Sequence, residues 1–185
     1  MPEMPLGAMP GLANTAVLGF VGHRQTRLSQ NRNVLQDQLE TVLRAIQTHS
    51  PSIVLTSGAA DGSDLLAGAA ARHLGMPWHA ITLDDNEIQA ARDTGATRIE
   101  ALNETAATSP NAPFVALQSR ILDSADLILA LWDGQPSRGA GGTADTVAQA
   151  GRRKLPVLWL ASQSNQARLQ YGALDHWTGV NIDTD

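Results

Sequence analysis

Residues 16–83 alternate short apolar runs with amphipathic stretches, and this alternation constrains the fold more than any other feature of the chain. Residues 16–21 (Ala-Val-Leu-Gly-Phe-Val) have the pattern of a strand buried on both faces. From Gln30 to His49 the apolar residues Val34, Leu35, Leu39, Val42, Leu43 and Ile46 line one helix face. Ser29 is the candidate N-cap and Ser50-Pro51 the stop. Residues 52–56 (Ser-Ile-Val-Leu-Thr) form a second buried strand. A small-residue turn, Ser57-Gly58-Ala59-Ala60-Asp61-Gly62, leads into an alanine-rich helix from Ser63 to Leu74 that ends at Gly75. Residues 78–83 form the third strand. Strands joined by crossover helices run parallel with right-handed connections. The first 83 residues therefore describe half of a doubly wound α/β fold.

The second half repeats the theme less regularly. Ile88 to Arg92 and Thr97 to Asn103 read as short helices, and Asp84-Asp85 as a solvated loop pair. Residues 109–113 carry two prolines and break the chain. A helix follows over 114–124, with Leu117, Ile121 and Leu122 on one side. Residues 126–132 form a fourth strand, 133–141 a polar glycine-rich loop, and 156–161 a fifth strand. Thr143 is the expected N-cap of a helix bearing Ala144, Val147, Ala148 and Gly151 on one face. The expectation is a Rossmann-like α/β fold, doubly wound, with a mainly parallel sheet of five or more strands flanked by helices. Residues 1–14 would be a flexible or surface-draped lead-in, 15–161 the main α/β domain, and 162–185 a polar C-terminal extension. That extension is polar apart from Leu169, Tyr171, Leu174 and Trp177, and no period places it.

A chain of 185 residues suits one domain with a short appendage. It contains no cysteine, so disulfides, thiolate zinc sites, iron–sulfur clusters and cysteine nucleophiles are excluded. Lys154 is the one lysine, so no Walker-type Gly-Lys-Ser/Thr loop exists. A net charge of −5 disfavours nucleic acid as a partner, since binding by phosphate neutralisation needs a dense basic face. No histidine pair has metal-ligand spacing, and no metal or cofactor is expected. The N-terminus lacks a basic start and an apolar run, and no 18-residue apolar stretch occurs. A cytoplasmic chain with no membrane partner is expected.

In open α/β sheets ligands sit at the carboxyl ends of the strands, near the point where strand order reverses. Three such ends carry unusual residues: Gly22-His23-Arg24, the turn from Ser57 to Gly62, and Trp132-Asp133-Gly134 followed by Gly139-Ala140-Gly141-Gly142-Thr143. The last two lead into helices, whose first N–H groups and positive dipole end favour an anion. Glycine lets a phosphate approach that backbone closely. Two such turns plus Arg24 would surround one phosphorylated ligand. His23 is the histidine at this edge; His49 and His73 sit near helix C-termini, His79 in a strand and His176 in the tail. Asp61 and Asp64 flank a helix start, where capping and contact with a ribose hydroxyl are both open. Residues 139–144 fit the form G-x-G-x-x-A, but they follow the fourth strand, and no acid lies between Lys154 and Leu174, so they are not a dinucleotide fingerprint. No G-x-S-x-G elbow is present.

In this order the motifs resemble the Rossmann-like superfamily that contains the cytokinin-activating LOG proteins, the DNA-processing protein A core and the SLOG nucleotide-sensor domains. The resemblance runs from about residue 16 to residue 160. Gly22-His23-Arg24 resembles the first SLOG motif, and Thr56-Ser57-Gly58 through Asp61-Gly62-Ser63-Asp64 the second. Arg120 with Ser124-Ala125-Asp126 resembles the arginine helix. Trp132-Asp133-Gly134 with Gly141-Gly142-Thr143 resembles the final motif. LOG enzymes cleave the base–ribose bond of nucleoside monophosphates with a glutamate and an arginine. Laid on this chain, the arginine is Arg120 and the glutamate position is Thr146. Asp145 is adjacent but turned by roughly 100° around a helix. The resemblance thus implies binding of a nucleotide or nucleotide-derived ligand, with Thr146 disfavouring hydrolysis. The alternatives are a phosphoribohydrolase using Arg120 and a DNA-processing-type interaction module. It also implies a homodimer.

Overall fold

Leu127–Trp132 is buried along its whole length, which marks it as a central strand. The computed structural model, which describes residues 3–28, 31–102, 109–164, 167–173 and 176–182, builds one sheet around it. In chain order the elements are β1 (Met4–Pro5), β2 (Val17–Gly22), α1 (Arg32–His49), β3 (Val54–Ser57), α2 (Ser63–His73), β4 (Trp78–Thr82) and α3 (Asp85–Thr94). They continue with β5 (Arg98–Ala101), α4 (Ala112–Ser124), β6 (Leu127–Trp132), α5 (Thr143–Arg152), β7 (Val157–Ala161), β8 (Leu169–Ala173) and β9 (His176–Asn181). Among the described residues the sheet has nine strands in the order β1-β9-β8-β7-β6-β2-β3-β4-β5. Strands β2 to β7 pair in parallel. The β8–β9 hairpin adds antiparallel to β7, and β1 closes that edge parallel to β9. This is the doubly wound Rossmann-like architecture that the alternation implies.

The two-residue period of a strand divides the core in two. Leu127, Leu129 and Leu131 join the cluster under α1 and α2, while Ile128, Ala130 and Trp132 join the cluster under α4 and α5. Strand order reverses between β2 and β6, the first and fourth of the sequence-expected strands. Asp126 locks this pair at its lower end: its carboxylate accepts the N–H groups of Ala16 (3.0 Å) and Val17 (2.9 Å). No helix among the described residues is long and apolar enough to cross a membrane.

Several local expectations are corrected. The stretch read as a helix over 97–103 is β5 in its described part, because residues 98–101 pair in parallel with β4 and a sheet ladder overrides a weak local preference. The helix read over 88–92 is longer. Asp84 is its N-cap, accepting the Glu87 N–H at 2.9 Å, while the Glu87 carboxylate accepts the Leu83 N–H at 2.7 Å. Asp84-Asp85 is therefore a helix start rather than a loop pair. Ser29 lies outside the described residues, and the observed cap of α1 is Asn31, which accepts the Asn33 N–H at 2.9 Å. The cap of α5 is Gly142, with Thr143 its first helical residue. In the lead-in, expected to be flexible or surface-draped, Leu6, Met9 and Leu12 are buried against α1 and the sheet. Ser50 donates its hydroxyl to the Leu12 carbonyl.

Candidate functional site

The carboxyl ends of β2 and β6 open onto a cavity of about 420 Å³ at the point where strand order reverses. Ten of the residues singled out from the sequence line it: Gly22, His23 and Arg24 after β2, Gly58 and Asp64 after β3, Trp132 and Asp133 after β6, and Gly141, Gly142 and Thr143 at the start of α5. Five do not. Ser57 is fully buried, donating to the Gly58 carbonyl (2.7 Å) and accepting from the Trp78 indole (2.9 Å). Asp61 is exposed and paired with Arg32 at 3.4 Å. Gly62 caps α2 and bridges to Arg24 through the backbone. Gly134 packs against the Trp159 ring. Arg120 turns away from the cavity. Its guanidinium grips Glu100 of β5 with two bonds, of 2.7 and 3.1 Å, so its expected role at the ligand edge is corrected.

Helix phase explains the Arg120 result. The face of α4 that meets the cavity carries Phe114, Leu117, Gln118 and Ile121, preceded by Asn111. Arg120 lies two residues beyond Gln118, roughly 200° around the helix. Gln118 is buried and donates its amide NH₂ to the Thr146 hydroxyl and to the Asp145 carboxylate, both at 3.0 Å. Thr146 is itself buried and donates to the Gly142 carbonyl at 3.0 Å. At the position that aligns with the glutamate the cavity has the Thr146 hydroxyl, and the Gln118 amide bonded to it is neutral. Asp145 is occupied as well, accepting the Gly141 N–H at 2.9 Å and so pinning the glycine loop to α5.

Gly141 holds that loop in a conformation and a space closed to other residues. Its φ is +82°, and a Cβ would lie 2.7 Å from the Phe114 Cβ and 2.8 Å from the Phe114 carbonyl carbon. Gly22 is needed for contact alone, because a Cβ there would fall 2.2 Å from the Ser63 hydroxyl. That hydroxyl and the Ser63 N–H both donate to the His23 carbonyl, at 2.8 and 3.1 Å, tying β2 to α2.

His23 is buried, and its Nε2 accepts the Asp133 N–H at 3.2 Å. Burial lowers its pKa below the usual histidine value; the Arg27 and Arg138 charges push the same way and Asp133 opposes them. Asp64 behaves in the opposite sense. Desolvation on the cavity floor pushes its carboxyl up to about 7, with Glu87 adding to the rise, while the Ala60 N–H and the Arg24 charge oppose it. Burial likewise raises Glu87.

The cationic groups around the opening are Arg24, Arg27 and Arg138. Arg24 lies over the Phe114 ring at 4.8 Å. Among the described residues none of the three forms an ion pair with a carboxylate. No side chain caps the N-terminus of α5. Sequence reasoning missed Arg27, Arg138, Phe114 and Gln118. For the last two a signal existed: 114, 117, 118 and 121 share the helical spacing that was used only for the apolar residues.

No protein-family model and no curated protein matches the sequence. Among solved structures, DNA processing protein A from Streptococcus pneumoniae superposes with a TM-score of 0.58 at 16% identity, over 80% of this chain and 51% of that one. The chain thus spans about half the length of that protein. DNA processing protein A from Helicobacter pylori superposes with a TM-score of 0.57 at 15% identity, over 90% of this chain and 82% of that one. At these identities the likeness is one of fold alone, and the fold is Rossmann-like. The Helicobacter structure is described as revealing a single-stranded DNA binding mode. That corrects the expectation that the acidic balance disfavours nucleic acid. Net charge sums over the whole surface, whereas a bound strand meets the local field, and here three guanidinium groups converge on one opening.

Proposed function

We propose that the cavity at the strand-order reversal binds the phosphate-bearing part of a nucleotide or nucleotide-derived ligand, either free or as one unit of a single nucleic-acid strand. The observation that carries this reading is the convergence of Arg24, Arg27 and Arg138, without carboxylate partners among the described residues, on a ligand-sized cavity beside the uncapped start of α5. Guanidinium groups make charge-assisted, forked bonds to phosphate, and helix N–H groups add to them. The Phe114 ring offers a flat apolar wall. The likeness to DNA processing protein A supports the single-strand form of the ligand.

The chemistry of the site supports binding over hydrolysis. A LOG-type reaction needs a carboxylate at position 146, and Thr146 with its partner Gln118 can neither accept a proton from water nor balance an oxocarbenium charge. The homodimer and the cytoplasmic location belong to the same reading, the former tested by sedimentation equilibrium and the latter by fractionation.

Calorimetry with mono-, di- and cyclic nucleotides, ADP-ribose and short single strands tests the proposal. At least one should bind with a Kd of about 1 μM or tighter, near −8 kcal/mol. The Arg24→Ala/Arg27→Ala/Arg138→Ala variant should lose that binding. Failure of every ligand to bind the parent chain would overturn the reading, and steady release of free base would overturn its non-hydrolytic part.

A further inference from the structure

The segment that links β3 to α2 carries Asp61 and Asp64, and the structure separates them. Asp61 lies outside the cavity, exposed and paired with Arg32. Asp64 is the second residue of α2 and lines the cavity beside Gly58. The N-cap of α2 is Gly62, so the Asp64 carboxylate is not spent as a cap. It accepts the Ala60 N–H, and among the described residues no cationic side chain lies within ion-pair distance of it. A carboxylate has room for about four hydrogen bonds, so the turn leaves most of its accepting capacity unused. Gly58 determines where that capacity points. A Cβ at residue 58 would fall 2.6 Å from Asp64 Oδ2 and 3.2 Å from Leu117 Cδ2. The space left by the absent side chain thus joins the carboxylate to the face of α4 that bears Leu117 and, one turn earlier, Phe114.

We infer that Asp64 reads the sugar of the bound nucleotide by accepting a hydrogen bond from its 2′-hydroxyl, so that the ligand class is the ribonucleotide rather than the 2′-deoxyribonucleotide. The inference rests on the nucleotide reading of the cavity. Arg24, Arg27, Arg138 and the first N–H groups of α5 can only donate, which suits phosphate oxygens. Phe114 offers its ring to the base. Asp133, the other carboxylate on the walls, already accepts the Gln135 N–H at 3.0 Å and faces His23. Asp64 is therefore the acceptor left for a neutral donor, and the sugar is the part of a nucleotide that joins phosphate to base. A phosphate oxygen is repelled by this carboxylate, and an exocyclic amine serves only its ionised form. A hydroxyl donates to the carboxylate and accepts from the acid. It thus suits a carboxyl that burial and Glu87 push up to about 7 against the opposing Ala60 N–H and Arg24 charge. The 2′-hydroxyl is free both in a single ribonucleotide and within a strand, whereas a strand esterifies the 3′ oxygen.

The test is titration calorimetry of the full chain with matched pairs of ligands. The pairs are the four ribonucleoside 5′-monophosphates against their 2′-deoxy counterparts, and an RNA strand of about six nucleotides against its 2′-deoxy counterpart. In at least one pair the parent should bind the ribose member about tenfold more tightly, the worth of one hydrogen bond to a charged group. In Asp64→Ala that ratio should fall to near one, through loss of affinity for the ribose member. Asp64→Asn keeps the size of the side chain and serves should Asp64→Ala fail to fold; its ratio should fall to about threefold or less. A ratio present in the parent and lost in the folded variants supports the assignment. Equal affinity within every pair in the parent overturns it and leaves the phosphate site standing. So does a ratio that survives in the folded variants while both members weaken alike, because a merely structural Asp64 would act on ribose and deoxyribose forms equally. No binding of any nucleotide or strand to the parent overturns the reading of the cavity itself.

Discussion

Arg24 and Arg120 both reach the helix α4, yet they stand in opposite situations. Arg24 lies over the Phe114 ring at the mouth of the cavity and has no carboxylate within ion-pair distance among the described residues. Arg120 leaves the other side of the helix and closes on Glu100 with two bonds. His79 of the neighbouring strand β4 lies 3.2 Å from the same carboxylate. The Arg120 bond holds the Glu100 carboxyl below its usual range, and Glu100 in turn raises Arg120. An arginine whose charge is matched within the fold has little left for a ligand; one left over a ring at the sheet's ligand edge has most of its capacity. Residue type and neighbourhood in the chain do not separate the two cases; the partner does.

The largest effect should come from breaking the loop that shapes the open side of this comparison. Gly141→Val has no room for its Cβ against Phe114 and must leave a positive φ. The loop should shift, and nucleotide affinity should fall by about 100-fold, roughly 2.7 kcal/mol, with the circular dichroism spectrum retained. Parental affinity in that variant would show that the loop takes no part in binding.

Next, the two arginines should exchange their signatures on truncation. Arg24→Ala should weaken nucleotide binding by about tenfold with little change in Tm, the cost of charge-assisted bonds to phosphate. Arg120→Ala should leave affinity unaltered and lower stability by about 1 kcal/mol, since the pair is partly exposed. For a domain of this size that is about 2–4 °C in Tm. A loss of affinity on Arg120→Ala with no change in Tm would reverse the comparison.

A smaller effect should follow pH. Asp64 has a native pKa of about 7 against an ordinary 3.8. Between those values the native state holds a proton that the unfolded chain has released, so its contribution to stability declines as pH rises from about 4 to about 7. Asp64→Asn should therefore raise Tm most at about pH 8, by roughly half as much or less at about pH 5, and by almost nothing at about pH 3. His23, lowered from its ordinary 6.5, has the opposite sign: the unfolded chain takes up the proton first, and stability falls as pH drops below about 6.5. His23→Gln should flatten that acid limb. An unchanged melting profile in both variants would show that neither group is desolvated.

Where the sequence misled, the missing information was a pairing partner. A four-residue edge strand such as β5 carries too short a period to be told from a helix turn, and only its ladder with β4 decides the matter. The β8–β9 hairpin owes its place to β7, with Trp159 opposite Gln170 and Leu160 opposite Leu169. The lead-in looks loose because three isolated apolar residues have no period, but Leu6, Met9 and Leu12 meet α1 once the sheet exists. At the cavity, Gly22, His23, Arg24, Trp132, Asp133 and the Gly141–Thr143 turn are on the walls as their motifs led one to expect, because strand ends are local features. Arg120 failed because helix phase was set by apolar spacing without knowledge of what each face would meet.

By itself the alternation of two-faced apolar runs and amphipathic helices determined a parallel, doubly wound sheet and which strand ends share one edge of it. Both follow from periodicity and strand direction, which are properties of short stretches of chain. Only the tertiary structure decided which cations stay open and which are consumed. Gln118 meets Thr146 across 28 residues and Arg120 meets Glu100 across 20, and a two-residue step on α4 separates those fates. Charge pairing and desolvation depend on what lies within a few ångströms in space, and that distance is set only when the helices dock on the sheet.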